Sequence, residues 1–288
     1  MGTVQYEIEM LNLGNADCFI INYRKDDEDY LIVIDSGNTD THGEKIVTHI
    51  NRYYGKEREI DLAINTHLHD DHISGFEIIV ERKKIKEFWI HDPFALMSNI
   101  NESVRKAKRL IDLLKSKDTI TVRSPYAGLK FKDGLIEVLG PSEDYYKELY
   151  PKFKGIKDII VEGKVIDQSS ENNSSVIALF KPKENLNYLF TGDAGPSAFK
   201  NINFKDSLYW LAVPHHGSKY NFYDIFLTLN PKIAYISACG KGDHPSAEVI
   251  EKLRKNKCKV YCSNNGNILY RYNIPRRKNY SSAKEFYY

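Results

Sequence analysis

Thr66-His67-Leu68-His69-Asp70-Asp71-His72 gathers three imidazoles and two carboxylates in seven residues, directly after the apolar run Ile60-Asp61-Leu62-Ala63-Ile64-Asn65. Residues two apart at a strand end share one side, so His67 and His69 project together, while Asp71 and His72 follow where the chain bends toward a helix. Two ligand pairs are thereby aimed at two adjacent points. Neutral imidazole combined with carboxylate suits zinc, with manganese or iron as substitutes. Without a metal or hydrogen bonds, so crowded a set of polar groups carries a heavy desolvation cost when partly buried.

The pattern His67-x-His69-x-Asp71-His72 resembles the signature of the metallo-β-lactamase superfamily. Two other apolar runs each end in an acid beside a glycine: Tyr30-Leu31-Ile32-Val33-Ile34-Asp35-Ser36-Gly37 upstream and Tyr188-Leu189-Phe190-Thr191-Gly192-Asp193 downstream. The resemblance implies an α/β chain folded as an αββα sandwich, two mixed β-sheets with outer helices. It also implies two divalent metal ions, zinc first and manganese as the substitute. His67 and His69 would take the first, Asp71 and His72 the second, Asp193 would bridge them, and Asp35 would orient the histidines from behind. A later histidine completes the second position, His215 as first choice with His216 and His244 as rivals.

Leu13-Gly14-Asn15-Ala16-Asp17, Asn172-Asn173-Ser174-Ser175-Val176, Val213-Pro214-His215-His216-Gly217-Ser218 and Asp243-His244-Pro245 narrow the relationship. Together they are similar to the soluble metallo-hydrolase domain of competence-type (ComEC-like) DNA-uptake proteins and to stand-alone hydrolases related to it. Many superfamily members give the first metal a third histidine, whereas this chain has none between His91 and His215. Asn172-Asn173 stand in that place, and an amide oxygen is the weaker ligand, so Asn173 is expected at an open first position where substrate binds. His216, Gly217 and Ser218 offer an imidazole, a closely approachable backbone and a hydroxyl to an anion. His244 is placed to protonate a leaving group or to complete the metal shell, and Asp71 joins His216 and His244 as a catalytic group. His42, His49 and His91 are expected at the surface or behind the ligands.

The similarity spans about Val4 to Tyr272, so one domain is expected over 1–272, with a basic helical insertion at about 92–121 and a surface tail over 273–288. Between these, the apolar patterns predict strands interleaved with helices, including a helix over 73–84 and a closing hairpin over 260–272. With 41 basic and 39 acidic residues the formal charge is +2, so no global basic field announces nucleic acid and only a local patch could bind phosphates. The N-terminus lacks a signal-peptide layout and no apolar run is long enough to span a bilayer. A cytoplasmic location follows as the expectation, with reduced cysteines and without the membrane translocation role of the uptake proteins.

The chemistry expected is metal-dependent hydrolysis by hydroxide rather than by a side-chain nucleophile, with a phosphodiesterase or nuclease as the first reading. A carboxylic ester, thioester or lactone hydrolase would use the same site but needs an acyl pocket. A catalytically silent binding module is disfavoured by the complete His67-His69-Asp71-His72-Asp193 set. The expected partner is a phosphodiester, from nucleic acid or a small molecule, with no membrane and with a homo-oligomer left open.

Overall fold

The computed structural model describes residues 2–92, 105–149, 159–161, 164–166, 169–200, 202–240 and 243–275. Its first half contains β1 (Gln5–Met10), β2 (Phe19–Lys25), β3 (Glu28–Ile34), α1 (Asp40–Tyr53), β4 (Ile60–Ile64), α2 (Asp70–Ile73), α3 (Phe76–Arg82), β5 (Ile85–Trp89), α4 (Arg105–Lys115) and β6 (Thr121–Arg123). There follow β7 (Lys130–Phe131), β8 (Ile136–Gly140), α5 (Glu143–Leu149), β9 (Ile159–Val161), β10 (Lys164–Ile166), α6 (Ser170–Asn173), β11 (Ile177–Lys183) and β12 (Leu186–Phe190). The last are α7 (Pro196–Phe199), β13 (Trp210–Ala212), α8 (Ile225–Thr228), β14 (Ile233–Ile236), α9 (Ala247–Lys255), β15 (Lys259–Cys262) and β16 (Ile268–Tyr272).

Two seven-stranded sheets run in the orders β16-β1-β2-β3-β4-β5-β6 and β15-β14-β13-β12-β11-β8-β7, with β9 and β10 as a separate ribbon. Each sheet pairs antiparallel through its first strands and then turns parallel, from β3 to β6 in one and from β12 to β15 in the other. Parallel neighbours need crossovers, and these place helices on the outer faces. In β3 the run Leu31-Ile32-Val33-Ile34 therefore splits. Leu31 and Val33 face α1, α3 and α4, while Ile32 and Ile34 face the opposite sheet. The inter-sheet layer also holds Phe19, Phe180, Phe190 and Trp210, and the Tyr6 and Tyr188 hydroxyls hydrogen-bond across it. A third layer packs α7, α8 and α9 on the second sheet through Phe199, Phe226, Ile250 and Leu253. The result is the αββα order of layers.

Two expected elements are corrected. The helix anticipated over 73–84 breaks into α2 and α3 at Gly75, because the backbones of three segments meet there. A Cβ on Gly75 would lie 2.2 Å from the Ser36 carbonyl oxygen and 2.9 Å from Gly43 N of α1. The closing hairpin does not form either: β15 pairs parallel to β14, while β16 crosses to the other sheet and pairs antiparallel with β1. The reversal at Asn264-Asn265-Gly266-Asn267 is real, with Gly266 at φ 117°, but a turn signal does not name the partner of the strand that leaves it.

The basic helix α4 buries Ala107, Leu110, Ile111 and Leu114 against the first sheet's outer layer. Its cations are largely engaged with acids. Lys106 Nζ reaches Ser74 Oγ at 2.9 Å and Asp70 Oδ2 at 3.2 Å, Arg109 reaches Glu77 and Lys115 reaches Asp92. The start of the expected insertion, 93–104, and the tail beyond 275 lie outside the described residues. The four cysteines are free thiols, and no described helix is long and apolar enough to cross a membrane.

His91, expected near the surface or behind the ligands, is buried just beyond β5. Its ring stacks on Tyr146 of α5 at 4.0 Å, and neither of its nitrogens has a hydrogen-bond partner among the described residues. Burial pushes its pKa down to about 3. The unfolded chain takes up this proton below about pH 6.5 while the folded protein stays neutral. Acidification through that window thus favours unfolding by about 1.4 kcal/mol per pH unit from this group. His91→Phe is expected to flatten the acid limb and to be at least as stable at pH 7, since it removes buried unpaired nitrogens. Urea unfolding at pH 7, 5.5 and 4.5 measures this, and equal pH slopes in the two proteins would refute it. Gly75→Ala is expected to cost about 2–3 kcal/mol through the forced backbone shift, read by the same titration at pH 7.

Candidate metal centre

The parallel strands of both sheets point their C-terminal ends to one edge, the place where open α/β sheets bind ligands. β3 delivers Asp35, β4 delivers Thr66 and His67, β12 delivers Asp193, and β13 delivers His215 and His216. The local backbone is unusual. Asp35, His215 and His216 adopt φ of 58°, 48° and 53°, left-handed conformations that cost a non-glycine residue about 1–3 kcal/mol each and that cluster at functional sites. Gly192, at φ 50°, lets the chain before Asp193 close on the histidine loop: a Cβ there would sit 2.8 Å from Thr66 Oγ1.

The expected ligands converge. His67 Nε2 lies 3.1 Å from His69 Nδ1 and 3.9 Å from Asp193 Oδ2. His72 Nε2 lies 3.2 Å from Asp193 Oδ1 and 3.8 Å from Asp71 Oδ2. His216 Nε2 lies 3.1 Å from the same Asp71 oxygen. Asp17, Asp35 and His72 form one group with donor atoms mutually within 4.8 Å, and the expected ligands form two more: Asp71, His72, Asp193 and His216 in one, and His67, His69 and Asp193 in the other. Asp193 belongs to both. Of the three histidines left open by the sequence, His216 is the one in the four-membered group. His215, the first choice, stands outside it, with Nε2 3.7 Å from Asp193 Oδ2 and Nδ1 2.8 Å from Asn221 Oδ1. His244 stacks near His215, centroids 5.5 Å apart. Ser218 is buried and its hydroxyl accepts from Tyr220 N. Asn173 is buried in α6, and its Nδ2 donates to the Ser169 carbonyl.

Behind the ligands lies a layer that fixes their rings. Asp35 accepts from Thr66 N and Thr66 Oγ1 at 2.7 Å each, and its Oδ2 lies 2.8 Å from His72 Nδ1. His72 Nδ1 is thereby assigned the proton, leaving Nε2 as the donor toward the site. For His216 the same work is done by the Ser237 carbonyl at 2.8 Å and Asp17 at 3.5 Å. Asp17, Asn221 and Ser237 were given no role from sequence. Asp17 lay inside a quoted motif, but only the docking of its loop brings it to His216: Ser237 Oγ donates to the Ala16 carbonyl, and Cys239 N to Asn15 Oδ1. Asn221 and Ser237 carried no sequence signal. His42 and His49 lie elsewhere, His49 against Glu9 at 2.9 Å on the outer side of the first sheet.

Asp17, Asp35, Asp71 and Asp193 have no lysine or arginine within ion-pair reach among the described residues. The cationic partners they have among these residues are imidazoles. Burial opposes charge on His72 and His216, yet Asp193, Asp71 and Asp35 hold His72 well above the usual imidazole value, and Asp17 and Asp71 do the same for His216. Asp193 and Asp71 are correspondingly held low despite burial, chiefly by His72. His67 is driven well down by burial and by His72. His72 Nε2 and Asp193 Oδ1 are buried and within ion-pair reach at 3.2 Å, with neither making a well-formed hydrogen bond among the described residues. A buried set rich in carboxylate, with orphaned donor atoms aimed inward, fits two divalent cations.

Residues 11–147 match the family model described as the metallo-beta-lactamase superfamily. Over 92% of its length the chain is 27% identical to ComE operon protein 3 of Bacillus subtilis (strain 168), and it spans 33% of that protein, a third of the relative's length. Among solved structures, the metallo-beta-lactamase fold protein YhfI from Bacillus subtilis aligns over 93% of this chain and 99% of its own, with a TM-score of 0.54 at 11% identity. CmlA, a diiron beta-hydroxylase from Streptomyces venezuelae, aligns over 93% of this chain and 54% of its own, with a TM-score of 0.51 at 12% identity. At such identities the two structures establish the fold alone. Residues 11–147 thus resemble that superfamily, and the chain folds as the αββα sandwich, with a His/Asp cluster suited to two metal ions.

Metal is therefore expected to stabilise the protein. Zinc at about a hundred times its dissociation constant adds about 2.7 kcal/mol, or roughly 5 °C in the thermal midpoint for a chain of this size. Asp193→Asn should lose most of that shift and, in chelator, should be less stable than the wild type, because it removes one partner of the buried His72–Asp193 pair. Thermal melts with EDTA and with zinc decide it; an identical zinc shift in both proteins would mean that the cluster is not where the ions bind.

Proposed function

We propose that the chain is a metal-dependent hydrolase acting on phosphodiesters, of a nucleic acid or of a small molecule. Asp71, His72, Asp193 and His216 hold one divalent ion and His67, His69 and Asp193 the other, zinc or manganese. Such a pair supplies Lewis acidity and a water acidic enough to attack near neutral pH. The protein's own residues do the rest. Asp35 and Asp17 keep the His72 and His216 rings in one orientation. Asn221, whose Nδ2 donates to the Asp193 carbonyl while its Oδ1 faces His215 Nδ1, sets His215 beside the bridging carboxylate with Nε2 toward the site. His244 stands beside His215, ring centroids 5.5 Å apart, and its Nδ1 is buried without a hydrogen-bond partner among the described residues.

The character of the open side carries the phosphodiester reading. On it stand His215, with Nε2 3.7 Å from Asp193 Oδ2, and His244, its ring centroid 5.5 Å from that of His215; the exposed Lys219 follows His216 by three residues. Cations and imidazoles suit a phosphate; an acyl substrate requires an apolar pocket. One apolar cavity, lined by Leu139, Ile177, Phe199 and Ile225, has about 10 Å³ and lies in the outer layer of the second sheet.

The expected outcome is turnover of bis-p-nitrophenyl phosphate and of single-stranded DNA or a dinucleotide, with little turnover of p-nitrophenyl esters. Asp193→Ala, His69→Ala and His216→Ala should each lower kcat/KM about a thousandfold, some 4 kcal/mol of transition-state stabilisation. His42→Ala and His49→Ala should stay within about twofold, since surface changes away from a site are near neutral. Ester turnover exceeding phosphodiester turnover would overturn the substrate assignment, and equal losses in both groups of variants would overturn the site.

A further inference from the structure

The two metal positions are not equivalent. One is surrounded by four donors, Asp71, His72, Asp193 and His216, while the other has three, His67, His69 and the shared Asp193. Among the described residues no further histidine, cysteine or acid joins the poorer position, so a fourth protein donor is sought among other residue types. We infer that it is the side-chain amide oxygen of Asn173, and that this position consequently binds its ion more weakly and with a preference shifted toward oxygen-seeking ions.

Asn173 is 3% exposed, and its two amide atoms are treated differently by their surroundings. Nδ2 donates to the Ser169 carbonyl at 3.0 Å, which fixes the plane of the amide, and Oδ1 is buried with no hydrogen-bond partner among the described residues. A buried amide oxygen left unpaired costs about 1–3 kcal/mol, so its retention needs a partner of another kind. The chain just after Asn173 is stitched to the poorer position. Val176 N donates to the Thr66 carbonyl, immediately before His67, at 2.8 Å, and Ser175 Oγ accepts from Asp193 N at 3.2 Å. The C-terminal end of α6 is thus tied to one ligand segment and to the bridging acid, on the side where a donor is short. A neutral amide oxygen is a harder and weaker donor than imidazole. Zinc gains least from it, and manganese or magnesium is disfavoured least.

This inference rests on the dimetal reading, and the test separates the two. Chelator-competition titrations of the metal-free protein with zinc and with manganese give both stepwise constants without any substrate. In the wild type the two zinc constants should differ by about a hundredfold or more, the gap being smaller for manganese. Asn173→Ala should weaken the looser constant about tenfold and leave the tighter one unchanged, which also certifies that the variant is folded. Asn173→Asp, nearly isosteric, should tighten the looser constant at least about tenfold, and Asn173→His should do so for zinc in particular. Two equally tight constants in the wild type, or Asn173→Ala and Asn173→Asp both leaving the constants as they are, would overturn the role of Asn173 while the dimetal centre stands. Binding at neither position would overturn the centre itself.

Discussion

Three buried carboxylates and the partly buried Asp71 beside four imidazoles, with no lysine or arginine within ion-pair reach among the described residues, form an arrangement that a folded protein sustains only with compensation. Much of the surrounding structure can be understood as that compensation. Asp35 sits in a left-handed conformation because only there does its carboxylate meet Thr66 and His72 together. His215 and His216 take consecutive left-handed turns so that adjacent side chains leave β13 toward different neighbours, one to Asn221 and one to Asp71. Gly75 and Gly192 permit contacts that any side chain would prevent. None of these features contributes to stability by itself; each is held by the three apolar layers around the two sheets, and each spends local strain to position a donor atom.

How much of this was legible in the sequence follows from how local each feature is. His67, His69, Asp71 and His72 are neighbours along the chain, so their convergence could be read from spacing alone. Asp193 ends an apolar strand beside a glycine, and the same device at Asp35 made both visible. The choice between His215 and His216 was not available, because two left-handed residues cancel the alternation of a strand on which such a choice depends. Asp17, Ser237 and Asn221 reach the site through contacts between segments far apart in the chain, and no periodicity reports those. The central strands of each sheet announced themselves as apolar runs, whereas the exposed edge strand β6 did not, and the separation of β15 from β16 is a matter of partners rather than propensity. His91 was misplaced for a related reason. A polar residue at a strand end reads as surface, and only α5 folding over it reveals a buried ring.

The two halves of the chain contribute unequally to a centre that neither could build. The first sheet supplies His67, His69, Asp71 and His72, and the second supplies Asp193 and His216. Any ion held by this set spans both sheets, so its binding energy is also cohesion between them. The same division accounts for the asymmetry between the two positions. The richer one draws on both sheets, with two donors from each, while the poorer one has its histidines from the first sheet and must borrow from α6.

The crossing of β16 to the edge of β1 has a consequence for how the chain is made. During synthesis the first sheet emerges early, but the outer edge of β1 presents unpaired backbone groups until Ile268–Tyr272 has left the ribosome, after the whole second sheet. An open edge is a template for another chain, so the margin stays adhesive until its partner is made. Sealing it waits for a strand that arrives only once β15 has been laid down. The order of events is thus written into the topology: the half that begins first is finished last.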